Sequence, residues 1–401
     1  MDFIDIQKKD DEKIAMLFSA FFSYNLITLL INTLVNFVLP NTPIDTAVCT
    51  LVYAVFIFMA IGPIARNLTM TDFGFIFLCF FVYIAHMLLY PDNFNLVLKT
   101  LPKFIFTILP LYLLGKSIKN YKKVLQYFEK VSKGLVWVAF GYYIILIISG
   151  QEMRQDNMSF SYYLLPFVII RFYTLISSFS IRNLLYFAVA VVTLVLTGTR
   201  GPFLCLIIGI ILFMLFYQQK RSTKVIWTFI LIGFVIFLFS DAFISMLERI
   251  NGFLLNYNIE NRIIEKFLEE EMLNSSGREH IIASVINAIK QKPILGSGIL
   301  SDRVKFGTYA HNFFYELLLH FGCIVGLIIF SVVTIMVFKA VYGSSNSSYK
   351  TIAILCVSCI YVKLFVSGSY IEEPIFFLML GIISSKKFIV KDTVHHDKES
   401  A

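Results

Sequence analysis

Residues 14–38 hold no charged side chain. A stretch of that length, apolar almost throughout, has few places to go. About 20 apolar residues cover the hydrocarbon core of a bilayer as an α-helix, because a helix bonds its backbone groups within itself. The pattern returns along the chain. About twelve spans are expected, near residues 14–38, 44–63, 73–90, 101–115, 134–150, 159–179, 182–197, 201–217, 225–245, 311–339, 350–367 and 371–385. Of 401 residues, 58% are hydrophobic and 15% charged, against about a quarter charged in soluble domains. A β-barrel would need short alternating segments, which the sequence does not show. The reading is an all-α, polytopic integral membrane protein.

The opening MDFIDIQKKDDEK is polar, and the apolar run from about Ile14 is longer than a signal-peptide core. It reads as a retained first helix. Cys49, Cys79, Cys205, Cys323, Cys356 and Cys359 sit in or beside apolar runs. Cys356 and Cys359 have redox-pair spacing, but inside an apolar helix they read as small packing residues. There is no Walker loop, nucleotide fingerprint or metal-ligand spacing, and Glu269, Glu270 and Glu271 read as a solvated run. No metal and no cofactor are therefore expected. The net charge of +8 is not interleaved with aromatics on a soluble face. Nucleic acid is not an expected partner; the lipid bilayer is.

Basic residues orient the chain, because cytoplasmic loops collect Lys and Arg. With Lys8, Lys9 and Lys13 placed inside, every second connection should be basic. Arg66 follows the second span, and Lys116, Lys119, Lys122, Lys123, Lys130 and Lys133 follow the fourth. Arg182 follows the sixth, Lys220, Arg221 and Lys224 follow the eighth, and Lys339 and Lys350 flank the connection after the tenth. The tail holds Lys386, Lys387, Lys391 and Lys398, while 40–45 and 91–95 carry no Lys or Arg and 151–158 only Arg154. Both termini are expected in the cytoplasm. Residues 1–401 then form a single transmembrane domain, with 246–310 as an extracytoplasmic loop containing short helices.

That loop ends in a polar stretch. Ser275 or Ser276 can cap a helix, with Glu279 closing a capping box. The helix would carry Arg278 and His280 early and run to about Lys290. Its Ile281, Val285, Ala288 and Ile289 form a stripe able to lie on the membrane surface. Pro293 ends it, and Gly296 and Gly298 permit a tight turn.

Arg200 stands in a short turn where a cation serves no topological purpose. Gly198, Gly201 and Pro202 shape the turn, and a helix N-terminus favours anions. Arg200 either snorkels to headgroups or grips a phosphate with its fork of donors. Arg278 is either a solvated helix residue or a second cation on the same face. Arg303 and Lys305 either extend that patch or lie on a loop. His311 titrates near neutrality and can act as a general base, or it bonds a carbonyl at the interface. Asn312 suits a helix cap. Glu316 follows Asn312 by one helical turn and not His311, so it is placed to orient Asn312 or to bind a sugar hydroxyl. A Glu in an apolar span is a functional candidate by default. Lys363 lies near the outer end of its span and can join the patch. His280 and His320 look incidental, and Arg171 is expected to snorkel inward.

Taken in order, Thr197-Gly198-Thr199-Arg200-Gly201, Ser276-Gly277-Arg278, Pro293-Ile294-Leu295-Gly296-Ser297-Gly298 and His311-Asn312 with Glu316 and Gly322 through Gly326 resemble the bacterial O-antigen polymerase and O-antigen ligase superfamily. Residues 157–166, NMSFSYYLLP, are similar to its polymerase side. The resemblance implies a metal-independent, inverting glycosyltransferase whose donor is an oligosaccharide on undecaprenyl diphosphate. It places the chain in a bacterial inner (cytoplasmic) membrane with the site outside. Arg200 and Arg278 would grip the diphosphate, with Arg303, Asn312 and Lys363 completing the candidate binding set. His311 and Glu316 join the two arginines as candidate catalytic residues. A chain-length regulator and a flippase are candidate partners. A loop of moderate length and aromatic-rich early spans favour polymerase over ligase. A flippase or other transporter would show charges along several midplane helices and repeated halves; the charges here gather on one face.

Overall fold

The computed structural model describes residues 3–38, 44–149, 157–197, 199–217, 241–256 and 278–385, with residues 229 and 233. All regular structure among them is helical. The first nine helices are α1 (Phe3–Val38), α2 (Ile44–Ala65), α3 (Met70–Leu89), α4 (Phe94–Lys103), α5 (Leu109–Ser117), α6 (Tyr121–Ser149), α7 (Asn157–Ser177), α8 (Ile181–Leu196) and α9 (Arg200–Phe216). They are followed by α10 (Asp241–Leu255), α11 (Arg278–Gln291), α12 (Ser301–Phe306), α13 (Phe313–Tyr342), α14 (Ser347–Cys356), α15 (Lys363–Val366) and α16 (Pro374–Ser384). Widened π turns at Phe104–Ile108 and Val357–Tyr361 join α4 to α5 and α14 to α15. Proline cannot donate the usual helical bond, and Pro102 and Pro110 flank the first of these turns.

The chain is an all-α polytopic membrane protein. Seven helices among the described residues are long and apolar enough to cross a bilayer, and Ile181–Leu196, Arg200–Phe216 and Pro374–Ser384 are shorter apolar helices. The expected count of twelve is not reproduced. Most of the ninth expected span lies outside the described residues. The fourth starts earlier than expected, as part of one continuous span Pro91–Ser117.

An α-helix that is apolar on every side belongs inside a bundle, and α7 is that helix. Its Phe160, Leu164, Leu165, Phe167, Val168, Ile169 and Ile170 are all buried. By contrast, α3 exposes Phe73, Phe77, Phe81, Ile84 and Leu88, a stripe at helical spacing suited to lipid. Where α5 crosses α16 the backbones touch. A Cβ at Gly115 would overlap the Leu378 carbonyl oxygen, the kind of close approach small residues permit between membrane helices.

The largest departure from expectation is the tenth span. Residues 311–339 do not form one straight helix, because Gly322 sits inside α13 with φ +78°. Beyond that break the chain doubles back. A Cβ on Gly326 would lie 2.8 Å from the Leu317 carbonyl oxygen, and the Phe330 ring is 6.1 Å from Phe313 and 5.0 Å from Phe314. Residues 313–321 are therefore a re-entrant limb packed along 323–330. Seven residues separate Cys323 from Phe330, about 10 Å at 1.5 Å per residue. The limb carries its own first residues about that far inside the bundle end. The stripe on α11 also finds a different neighbour from the lipid surface expected. Val285, Ala288 and Ile289 pack against Ala310, Leu318 and Leu319, so α11 covers the re-entrant limb.

Candidate functional site

The α8–α9 turn is tied to the start of α7 by a run of hydroxyls. Thr199 Oγ1 donates to Ser161 Oγ at 2.7 Å, Ser161 Oγ to Thr197 Oγ1 at 2.6 Å, and Thr197 Oγ1 to the Leu194 carbonyl at 2.6 Å. Thr199 is the N-cap of α9, yet its side chain does not cap the helix. Arg200 is therefore the first residue of a helix whose N-terminal N–H groups lack a bond from that hydroxyl, a setting that favours an anion. Gly198 lies outside the described residues, as do Ser275, Ser276 and the proposed capping box.

Gly201 faces the hydroxyl of Tyr162 and, at 3.3 Å from its would-be Cβ, Val366 Cγ1. Arg278, first residue of α11, donates from Nη1 to the Val366 carbonyl. The Arg278 guanidinium and the backbone beside Arg200 therefore both lie at Val366. Lys363 pairs with Glu373 and lies 4.8 Å over the Tyr162 ring. It borders the same spot, as expected, but with its charge matched.

The loop between α11 and α12 is clamped to the break in α13. Ser297 N–H donates to Leu319 O at 2.7 Å, Gly298 N–H to His320 O at 3.1 Å, and Cys323 N–H to Pro293 O at 2.6 Å. The end of α3 grips the other side of the loop. Tyr90 Oη donates to Leu295 O at 2.6 Å, and Asn93 Nδ2 donates to Ser297 O at 2.9 Å. A Cβ at Gly322 would overlap the Ile294 carbonyl oxygen, so neither its φ nor its surroundings admit a side chain. Lys305 donates to Ser297 Oγ at 2.7 Å. Burial, together with Lys292, holds its ammonium below the usual lysine range. It braces the loop.

The buried centre of this end was not legible as spacing. Asp302, Glu316 and His320 are completely buried. His320 meets Asp302 Oδ1 through Nε2 at 3.2 Å and the Tyr370 hydroxyl through Nδ1 at 2.9 Å. His320 is therefore not incidental; its partners come from α12 and the 367–373 segment, which no local periodicity could announce. Glu316 accepts from Ser369 Oγ and, at 3.0 Å, from Arg303 Nη1. It does not orient Asn312, because its carboxylate points to these partners. The Asn312 side chain accepts from the N–H groups of Phe314 and Tyr315, so it caps α13. Its oxygen is committed there rather than to a substrate. Arg171 does not snorkel: it is buried, donates to Glu129 O at 2.8 Å and lies 5.9 Å over the Tyr186 ring.

Arg303 is the cation of the buried group. Its Nη1 lies 2.5 Å from Asp302 Oδ2 and 3.0 Å from Glu316 Oε1, and its Nη2 lies 3.1 Å from Glu372 Oε1. Three carboxylates occupy the fork, so Arg303 is an anchor and not a free addition to the candidate patch of Arg200 and Arg278. Burial works against its charge, but those carboxylates raise it above the usual arginine range. Burial likewise pushes the Asp302 carboxyl up, and His320 and Arg303 overcome it and hold the carboxyl well below the usual range. Ligand atoms of Asp302, Glu316 and His320 lie within 4.8 Å of one another, as around a metal. The Arg303 guanidinium, bonded to both carboxylates, already stands as their cation.

His311 closes the site. Its backbone is left-handed, φ +55°, its ring lies 4.0 Å from that of Tyr309, and its Nδ1 is buried without a hydrogen-bond partner among the described residues. Burial first, then Arg278 and Arg303, depress its pKa, with Asp302 opposing. A neutral imidazole beside two cations is the state a general base requires.

These features define a polytopic helical membrane protein with a cationic, imidazole-bearing site at one end of its bundle. Residues 185–331 match the family model described as O-Antigen ligase. That match covers part of the chain and supports a likeness to the O-antigen ligase and polymerase superfamily. The matched segment runs from α8 through the re-entrant limb and includes Arg200, Arg278 and His311. No curated protein matches the chain.

Proposed function

We propose that the chain transfers a glycan from undecaprenyl diphosphate to the sugar of another lipid-linked repeat unit, as a polysaccharide polymerase. The Arg278 guanidinium and the start of α9, which carries Arg200, meet at Val366, with His311 near Arg278, and this carries the reading. In the reaction the acceptor hydroxyl oxygen attacks the anomeric carbon and the bond from that carbon to the diphosphate oxygen breaks. The hydroxyl proton passes to the His311 imidazole. Undecaprenyl diphosphate leaves with the bonding electron pair, and Arg200 and Arg278 stabilise the charge that builds on it. Attack opposite the leaving group inverts the anomeric centre. Arginines in this role need no divalent cation, and a guanidinium binds two phosphate oxygens at once.

The orientation follows from the basic residues. Lys8, Arg66, Lys116 and Lys123 gather at the end opposite the site, which supports a reading with that end in the cytoplasm and the site outside. A second reading is favoured by the description of the matching family: a ligase that moves the finished glycan to lipid A core. A gene deletion read on a glycan gel separates the two. Core capped with a single repeat unit indicates a lost polymerase, and unattached polymer indicates a lost ligase. Arg278→Lys is expected to abolish long-chain glycan, because a point charge cannot replace the fork. A normal ladder in cells carrying it would remove Arg278 from the diphosphate site.

A further inference from the structure

We propose that Asp302 and His320 are positioning residues for His311: acting through the Ala310 N–H, and through Arg303 and the Tyr309 ring, they set the orientation and charge state of the imidazole. This rests on His311 as the base. Three observations carry it. Asp302 Oδ2 accepts at 3.1 Å from the N–H of Ala310, the residue directly before His311. The Arg303 guanidinium, held by Asp302, lies 5.6 Å over the Tyr309 ring, whose other neighbour is the His311 ring at 4.0 Å. His311 also sits in a left-handed backbone setting, φ +55°, which strains a non-glycine residue and persists only where surroundings impose it.

The buried network supplies that imposition. Both ring nitrogens of His320 are satisfied if the Tyr370 hydroxyl donates to His320 Nδ1 and His320 Nε2–H donates to Asp302 Oδ1. Asp302 then accepts from His320, from Arg303 and from the Ala310 peptide together. It is a fixed anionic hub, unable to turn without breaking all three bonds. Because the Nδ1 of His311 is buried without a partner among the described residues, proton acceptance is assigned to Nε2. The charged groups acting on this imidazole are Arg278 of α11 and Arg303 and Asp302 of α12. Asp302 is the one anion among them, so removing its charge leaves the imidazole facing cations alone.

The test uses the full-length protein in detergent, with donor supplied as the lipid-linked glycan that accumulates in membranes of cells lacking the gene. Asp302→Asn is expected to lower turnover at saturating donor by about tenfold or more while the donor KM stays within about twofold. It should also move the acid limb of the pH–rate profile to lower pH, a change that partial unfolding does not produce. Tyr309→Leu, at a half-buried position, is expected to reduce turnover with the same unchanged KM, and it decides the matter if Asp302→Asn does not fold. Wild-type turnover in Tyr309→Leu, or an unmoved acid limb in Asp302→Asn, overturns the inference. His311→Ala runs alongside: if it is inactive while the other variants behave as wild type, the inference alone fails. If it retains turnover, the reading of His311 as base fails first.

Discussion

At one end of the bundle each described ion pair joins a single cation to a single anion on a neighbouring helix. Arg66 holds Asp10 through Nε at 2.7 Å and Nη2 at 2.5 Å, Lys123 meets Glu12 at 2.6 Å, and Lys116 pairs with Asp72. Half of the Arg66 side chain and about half of the Glu12 side chain are exposed. At the other end Arg303 serves three carboxylates, two of them wholly buried. In the first arrangement, where water reaches the charges, as at Arg66 and Glu12, such pairs contribute little, whereas Lys116–Asp72 is itself largely buried. The second removes charges from water, where desolvation consumes most of what attraction returns. Stability alone offers no reason to bury that cluster. Its reach toward His311 does.

The comparison breaks most visibly at Gly322. Gly322→Ala is expected to abolish both folded yield and activity, since the new methyl would overlap the Ile294 carbonyl and strain a φ of +78°. Size-exclusion profiles in detergent read the outcome, and a monodisperse, active variant would show that the hairpin is dispensable. Arg303→Ala comes next. It leaves Asp302 and Glu316 buried without their cation, a loss of about 3–5 kcal/mol, visible as a large drop in unfolding midpoint. An unchanged midpoint would mean the two ends are energetically alike.

Acidity sharpens the contrast further. His311 has its pKa lowered in the fold, so it stays neutral and active to below the usual value of about 6.5, and transfer falls only as pH drops through the lowered value. An acid limb above about 6.5 would contradict that environment. Asp302 also has its pKa depressed. The stability it contributes is present above its unfolded value of about 3.9 and is lost as pH falls toward the folded one. Melting curves between neutral pH and that range should decline at its acid end. The smallest effect belongs to the opposite end: Glu12→Gln, removing the exposed partner of Lys123, should leave activity and unfolding midpoint unchanged.

The sequence by itself determined the class of this protein, the places where most helices run, and which end of the bundle collects Lys and Arg. A bilayer forces each span to satisfy its backbone within itself, so length and hydropathy are local signals read without knowing any neighbour. It also singled out Arg200, Arg278 and His311, because a cation in a short turn or a histidine at a helix entrance is conspicuous in an apolar chain. Only the tertiary structure decided what these residues meet. Glu316 turns to Arg303 and Ser369 rather than Asn312, His320 joins Asp302 to Tyr370, and Gly322 folds one expected span into two limbs. Those contacts link residues up to 53 positions apart. They depend on packing between helices, which hydropathy and helical period do not encode.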